Sequence, residues 1–241
     1  ILSIILWVID FMERLMKKQI SFVLCVLFFV QIYAQDNSKR FKGWKKTETE
    51  HFTFIYEDAQ REATEGFVKI ADDAWNKVAK IYSIPQNKTN VYVTGRTNTV
   101  NALTTSAPAE IVMYTNPLTL IDFTFRDEWQ KLFFTHELIH IANFTFEDNS
   151  QFLNKLFGPA MNNFDYMNVD GWALEGLTTV LETELTDGGR GRSPFFEMEY
   201  KALTLDNGFI PYENVGMEKE PPYGQSYVMG YLIMRSIADN Y

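Results

Sequence analysis

Of the three histidines in this 241-residue sequence, two stand four apart in "WQKLFFTHELIHIANFTF", residues 129–146, as His136 and His140, with Glu137 beside the first. On a helix, side chains four apart lie one turn above each other on a shared face, so both imidazoles can aim at one ion. Glu137 then points about 100° away, clear of the ligand pair but within reach of a water at the ion. Two metal ligands and a general base on one rigid element are the H-E-x-x-H arrangement. Leu132, Phe133, Leu138 and Ile139 make the rest of the helix apolar. In such surroundings two histidines and a glutamate are costly to desolvate unless a cation gathers them. His51, alone at the start of a strand, reads as a structural residue.

A hydrolytic site built on a tetrahedral metal takes three protein ligands and leaves one position open. The chain has a single cysteine, Cys25 in the N-terminal apolar run, so Asp or Glu is expected as the third ligand. Glu175 in "GWALEGL" is the best candidate. It lies on a second predicted helix, after a connection long enough for that helix to fold back beside the first, and its neighbours are apolar. Asp170 reads as the cap of that helix. Glu182 sits two turns beyond Glu175 and either orients a ligand histidine or faces solvent. Asp170, Glu182 and His51 remain alternative ligands.

The elements that must position these groups follow from periodicity. "HFTFIYE" alternates as a half-buried strand does. From Asp58 to Ile81 the positions Ala63, Phe67, Ile70, Ala71, Ala74, Trp75, Val78 and Ile81 recur at helical spacing, stopped before Pro85. "NVYVT" and "EIVMYT" are expected as strands, joined by a link rich in Thr, Asn and Ala. The helix carrying the histidines is expected from about Asp127, as its cap, to Phe144. A long connection leads to the helix in "GWALEGLTTVLETELTDG", ended by Gly188 and Gly189. "SPFFEMEYKALTLDNG" gives a third helix with Pro194 in its first turn, and "PPYGQSYVMGYLIMRSIADNY" a fourth. No repeat or long linker divides residues 51–241, which are expected to form one α+β domain behind a polar lead-in at 35–50.

"THELIHIA" and "WALEGLTTVLE", with 34 residues between His140 and Glu175, together resemble the gluzincin branch of the zincin metallopeptidases. More narrowly, the chain is similar to exported bacterial peptidase MA-like domains, some of which precede a β-propeller on the same polypeptide. The resemblance covers residues 50–241 and implies a zincin-like fold, a small mixed sheet followed by a mostly helical half. It implies that His136, His140 and Glu175 hold Zn(2+), that Glu137 is the general base, and that the substrate is a peptide or protein. It further implies that the strand at residues 110–115 forms the cleft edge along which an extended substrate pairs. A tyrosine on a late helix, Tyr227 or Tyr223, would be the second donor to the oxyanion. One departure matters: Thr179 stands where thermolysin-like members carry an acidic residue that orients a ligand, so that role is vacant or moved. The rival readings are an envelope scaffold module that keeps the metal without catalysis, and an adhesin in which both motifs are coincidence.

Composition narrows the setting. A net charge of −9 gives nucleic acid no basic surface to bind, while 46% hydrophobic and 15% aromatic residues suffice for a real core. "MKKQISFVLCVLFFVQIYAQ", from Met16, has the order of a secretory signal cleaved after Ala34. This places the mature chain in the periplasm, cell envelope or outside the cell. The apolar run at residues 20–32 is shorter than the about 20 residues a membrane span needs. Membrane anchoring is therefore not expected, although "ILSIILWVI" adds a second apolar piece. At the other end "SYVMGYLIMRSIADNY" is expected to be a helix still running at Tyr241, as in a truncated piece with a further domain beyond it.

Overall fold

The computed structural model describes residues 43–82, 84, 87–97, 101–106, 108–115, 129–145, 169–208 and 226–240. The chain divides into two units, Ile1–Gly43 and Trp44–Tyr241; apart from Gly43 the described residues belong to the second. The start at Met16, the signal segment ending at Ala34, the cap at Asp127 and Tyr223 lie outside the described residues.

The architecture is α+β. Strands β1 (Lys45–Glu48), β2 (Phe52–Tyr56), β3 (Thr89–Thr94), β4 (Asn101–Ser106) and β5 (Ala109–Tyr114) form one mixed sheet in the order β1-β2-β3-β5-β4. The central β2, β3 and β5 are parallel, and β1 and β4 are added antiparallel on the two sides. Helix α1 (Arg61–Val78) connects β2 to β3 after a short 3-10 turn, Asp58–Gln60. The helical half comprises α2 (Trp129–Thr145), α3 (Gly171–Leu185), α4 (Pro194–Asn207) and α5 (Ser226–Asn240). Among the described residues no helix is long and apolar enough to cross a membrane.

The core forms because strand alternation and helix periodicity present one apolar face each. Phe52, Phe54, Val91, Val93, Ile111 and Met113 project from one face of the sheet onto Phe67, Ala71 and Val78 of α1 and Phe134 and Leu138 of α2, all fully buried. Phe134 packs edge-on against Phe52, with ring centroids 5.1 Å apart. Burying each such side chain stabilises the fold by about 1.5–3 kcal/mol. In α2 every residue from Phe134 to Asn143 is buried. A helix apolar on all sides belongs between two layers, and α2 lies between the sheet and α3. Its polar residues therefore face protein rather than solvent.

Two strands were not expected from the sequence, β1 within the polar lead-in and β4 within the Thr, Asn and Ala-rich link. Both close the described sheet at its margins, where one side chain in two need not be apolar. Their placement corrects a further expectation. Residues 110–115 cannot be the cleft edge, because β5 is hydrogen-bonded on both sides, to β3 and to β4. Among the described residues the edge beside α2 is β4.

Candidate metal centre

His136 and His140 occupy successive turns of α2, and their Nε2 atoms lie 3.1 Å apart. Helix α3 folds back beside α2 and brings Glu175 to the same point: its Oε2 is 3.2 Å from His136 Nε2 and 3.4 Å from His140 Nε2. Among the described residues this is the group of histidine and carboxylate side chains able to share a metal ion. The three spacings are those of one face of a tetrahedron, since ligand arms of about 2.0–2.1 Å subtend edges of about 3.3 Å. Glu175 Oε2 is buried yet accepts no hydrogen bond. Two imidazole nitrogens and a carboxylate oxygen thus converge on one point, a donor set that a cation fits.

The surroundings fix this triangle. Glu182 is fully buried, and His136 Nδ1–H donates to its Oε2 at 2.6 Å, which turns Nε2 toward His140 and Glu175 as the atom able to meet a metal. The opposite side of the Glu182 carboxylate takes the Arg190 guanidinium, from Nε to Oε1 at 2.9 Å and from Nη2 to Oε2 at 3.0 Å, and the Arg190 main-chain N–H at 3.1 Å. Burial alone would raise the Glu182 pKa, but the Arg190 charge and the bond to His136 outweigh it and pull it down. For His136, burial and Arg190 disfavour the charged ring, while Glu175 and Glu182 overcome both and raise its pKa. Glu175 is held far below the usual carboxylate range because its two histidine neighbours outweigh its burial.

A cleft of about 320 Å³ opens onto the triangle, lined by Leu103 and Thr104 of β4, Phe133 and Glu137 of α2, Leu174 of α3 and Tyr227 of α5, among others. Glu137 is buried at its wall, one residue from His136 on the adjoining face of α2. The Tyr227 ring centroid lies 6.3 Å from that of His136, and the Arg190 guanidinium lies 4.7 Å above the Tyr227 ring. Burial first, and then the charge of Glu175, push the Tyr227 phenol up to about 12 against the opposing pull of Arg190.

Of the alternative ligands, none joins the group. His51 stacks on Trp75 at 3.6 Å and contacts Asp72 Oδ1 through Nδ1 at 3.0 Å, tying the start of β2 to α1. Asp170 stands at the N-cap of α3 but makes no capping bond; its carboxylate accepts from Trp172 Nε1 at 3.2 Å. Thr179 satisfies its hydroxyl on the Glu175 carbonyl at 2.7 Å, so the orienting role moves one turn along α3 to Glu182. Sequence reasoning missed Arg190 and Thr104. Arg190 follows two glycines in a loop and meets His136 across 54 positions, a relation no local spacing encodes.

Comparisons with protein-family models, with curated proteins and with solved structures find no match to this chain.

Proposed function

We propose that the chain is a zinc-dependent peptidase of the gluzincin type on a zincin-like fold, exported by the segment ending at Ala34 and acting on peptides or proteins. The observation that carries this reading is the tetrahedral face made by His136, His140 and Glu175 with Glu137 beside it at the cleft wall. Two imidazoles and a carboxylate are a zinc set, and three ligands leave one position open for chemistry. Bound there, zinc would supply Lewis acidity, lowering the pKa of water and polarising the scissile carbonyl.

The chain's own residues do the rest. The Glu137 carboxylate accepts the proton of the attacking water and passes it to the leaving amine. Tyr227, whose ring stands 6.3 Å from that of His136, offers a phenol O–H to the oxygen of the tetrahedral adduct. Glu182 and Arg190 hold the His136 ring. The side of β4 that no described strand pairs with accepts an extended peptide by main-chain pairing, which selects shape over sequence.

Metal analysis of the purified chain, combined with turnover of a peptide library by wild type and Glu137→Gln, tests the reading. The expected result is stoichiometric zinc in both proteins and a rate in the Gln variant lower by about 100- to 10,000-fold. Zinc without hydrolysis in the wild type would point instead to a scaffold module of the envelope. Absence of metal from both would defeat the site itself.

A further inference from the structure

The edge strand β4 also reaches the base. Thr104 Oγ1 lies 2.7 Å from Glu137 Oε2 and 3.0 Å from the Glu137 main-chain oxygen. A hydroxyl has one proton to donate, and the charged, nearer carboxylate oxygen is the stronger acceptor. The donor itself is anchored: Thr104 pairs in register with Ile111 of β5, which is fully buried in the core. Glu137, by contrast, has a side chain with three rotatable bonds at the wall of an open cleft.

We propose that Thr104 is a positioning residue for Glu137, an inference that rests on the peptidase reading above. Its hydroxyl ties Oε2 to a strand that cannot shift without disturbing the sheet, and so leaves Oε1 as the oxygen that takes the proton. Because β4 is also the strand offered to the substrate, the residue that aligns the base belongs to the element that aligns the peptide. A general base displaced by about 1 Å loses on the order of a hundredfold in rate, so one hydroxyl at this place has kinetic weight out of proportion to its size.

The test compares zinc-loaded wild type, T104V and T104S. Valine keeps the volume and removes the donor; serine keeps the donor and removes a methyl. The expected result for T104V is a kcat lower by about 10- to 100-fold with KM within about twofold and zinc content unchanged, and T104S restores most of the rate. Crystal structures of wild type and T104V give a readout independent of turnover: the Glu137 carboxylate should leave its wild-type rotamer in T104V alone. A wild-type kcat in T104V, or a T104S as slow as T104V, overturns the proposal. If the wild type holds zinc but hydrolyses nothing, the peptidase reading fails separately, and Thr104 is judged on the rotamer: an unmoved Glu137 in T104V refutes it.

Discussion

Glu182 shows how a histidine of the candidate metal group is made rigid when the residue one turn nearer, Thr179, offers no charge. Its carboxylate is wholly buried between the His136 ring and the Arg190 guanidinium, so each partner is the condition for the others. Arg190→Met leaves that carboxylate buried without its cation, held only by His136 and a main-chain N–H, which is expected to lower stability by about 3–5 kcal/mol. The double variant Arg190→Met, Glu182→Met removes the charge along with its partner and should recover much of that loss. It should still bind zinc about 10- to 100-fold more weakly, because nothing then fixes the His136 tautomer. Urea unfolding and competition with a chelating dye measure the two effects apart. Equal stability in the single and double variants would mean that Arg190 acts through packing alone.

At the scale of elements, the crossing of α3 and α5 sets where Tyr227 stands. Gly176 and Gly230 meet there, and a Cβ on either would fall well inside van der Waals contact, on Gly230 main-chain atoms in one case and on the Trp172 carbonyl in the other. Helix interiors disfavour glycine, yet here backbone against backbone leaves no alternative. Gly176→Ala therefore gains in propensity and loses more by overpacking, for a net cost of about 1–3 kcal/mol, read as a lower urea midpoint at unchanged slope. A midpoint at or above wild type would show that the helices can separate freely. The elements also show what was legible. His136, Glu137 and His140 are encoded by spacing on one helix, and Glu175 by an odd carboxylate in an apolar helix. The helices α1, α3 and α4 followed from periodicity, and Pro194 marked the start of α4; the expected ends of α3 did not hold, since Asp170 makes no side-chain cap and the helix stops at Leu185, before Gly188 and Gly189. Strand β4 did not, since "NALTTS" buries only Ala102 and a margin strand needs no apolar run. Arg190 and Thr104 act across the fold, where partners are chosen by packing and leave no mark in local sequence.

For the whole molecule, the candidate centre gathers two regions of chain that no disulfide can join. His140 and Glu175 are separated by 34 residues, and the sequence has one cysteine and so no internal disulfide. An ion held by both is a removable cross-link. By the loop-closure argument used for disulfides, tying a loop of that length removes about 4 kcal/mol of chain entropy from the unfolded state, to the extent that the ion stays with the folded form only. Chelation is then expected to lower the melting temperature by on the order of 10 °C, and zinc added back should restore it, both read by calorimetry. An unchanged transition would mean that α2 and α3 do not share an ion. The convergence of three side chains, described above as a place for chemistry, is on this account also a fastening. A chain expected to leave the cell without disulfides would then owe part of its endurance to the metal supply it meets, and removing the ion would loosen the fold as well as empty the site.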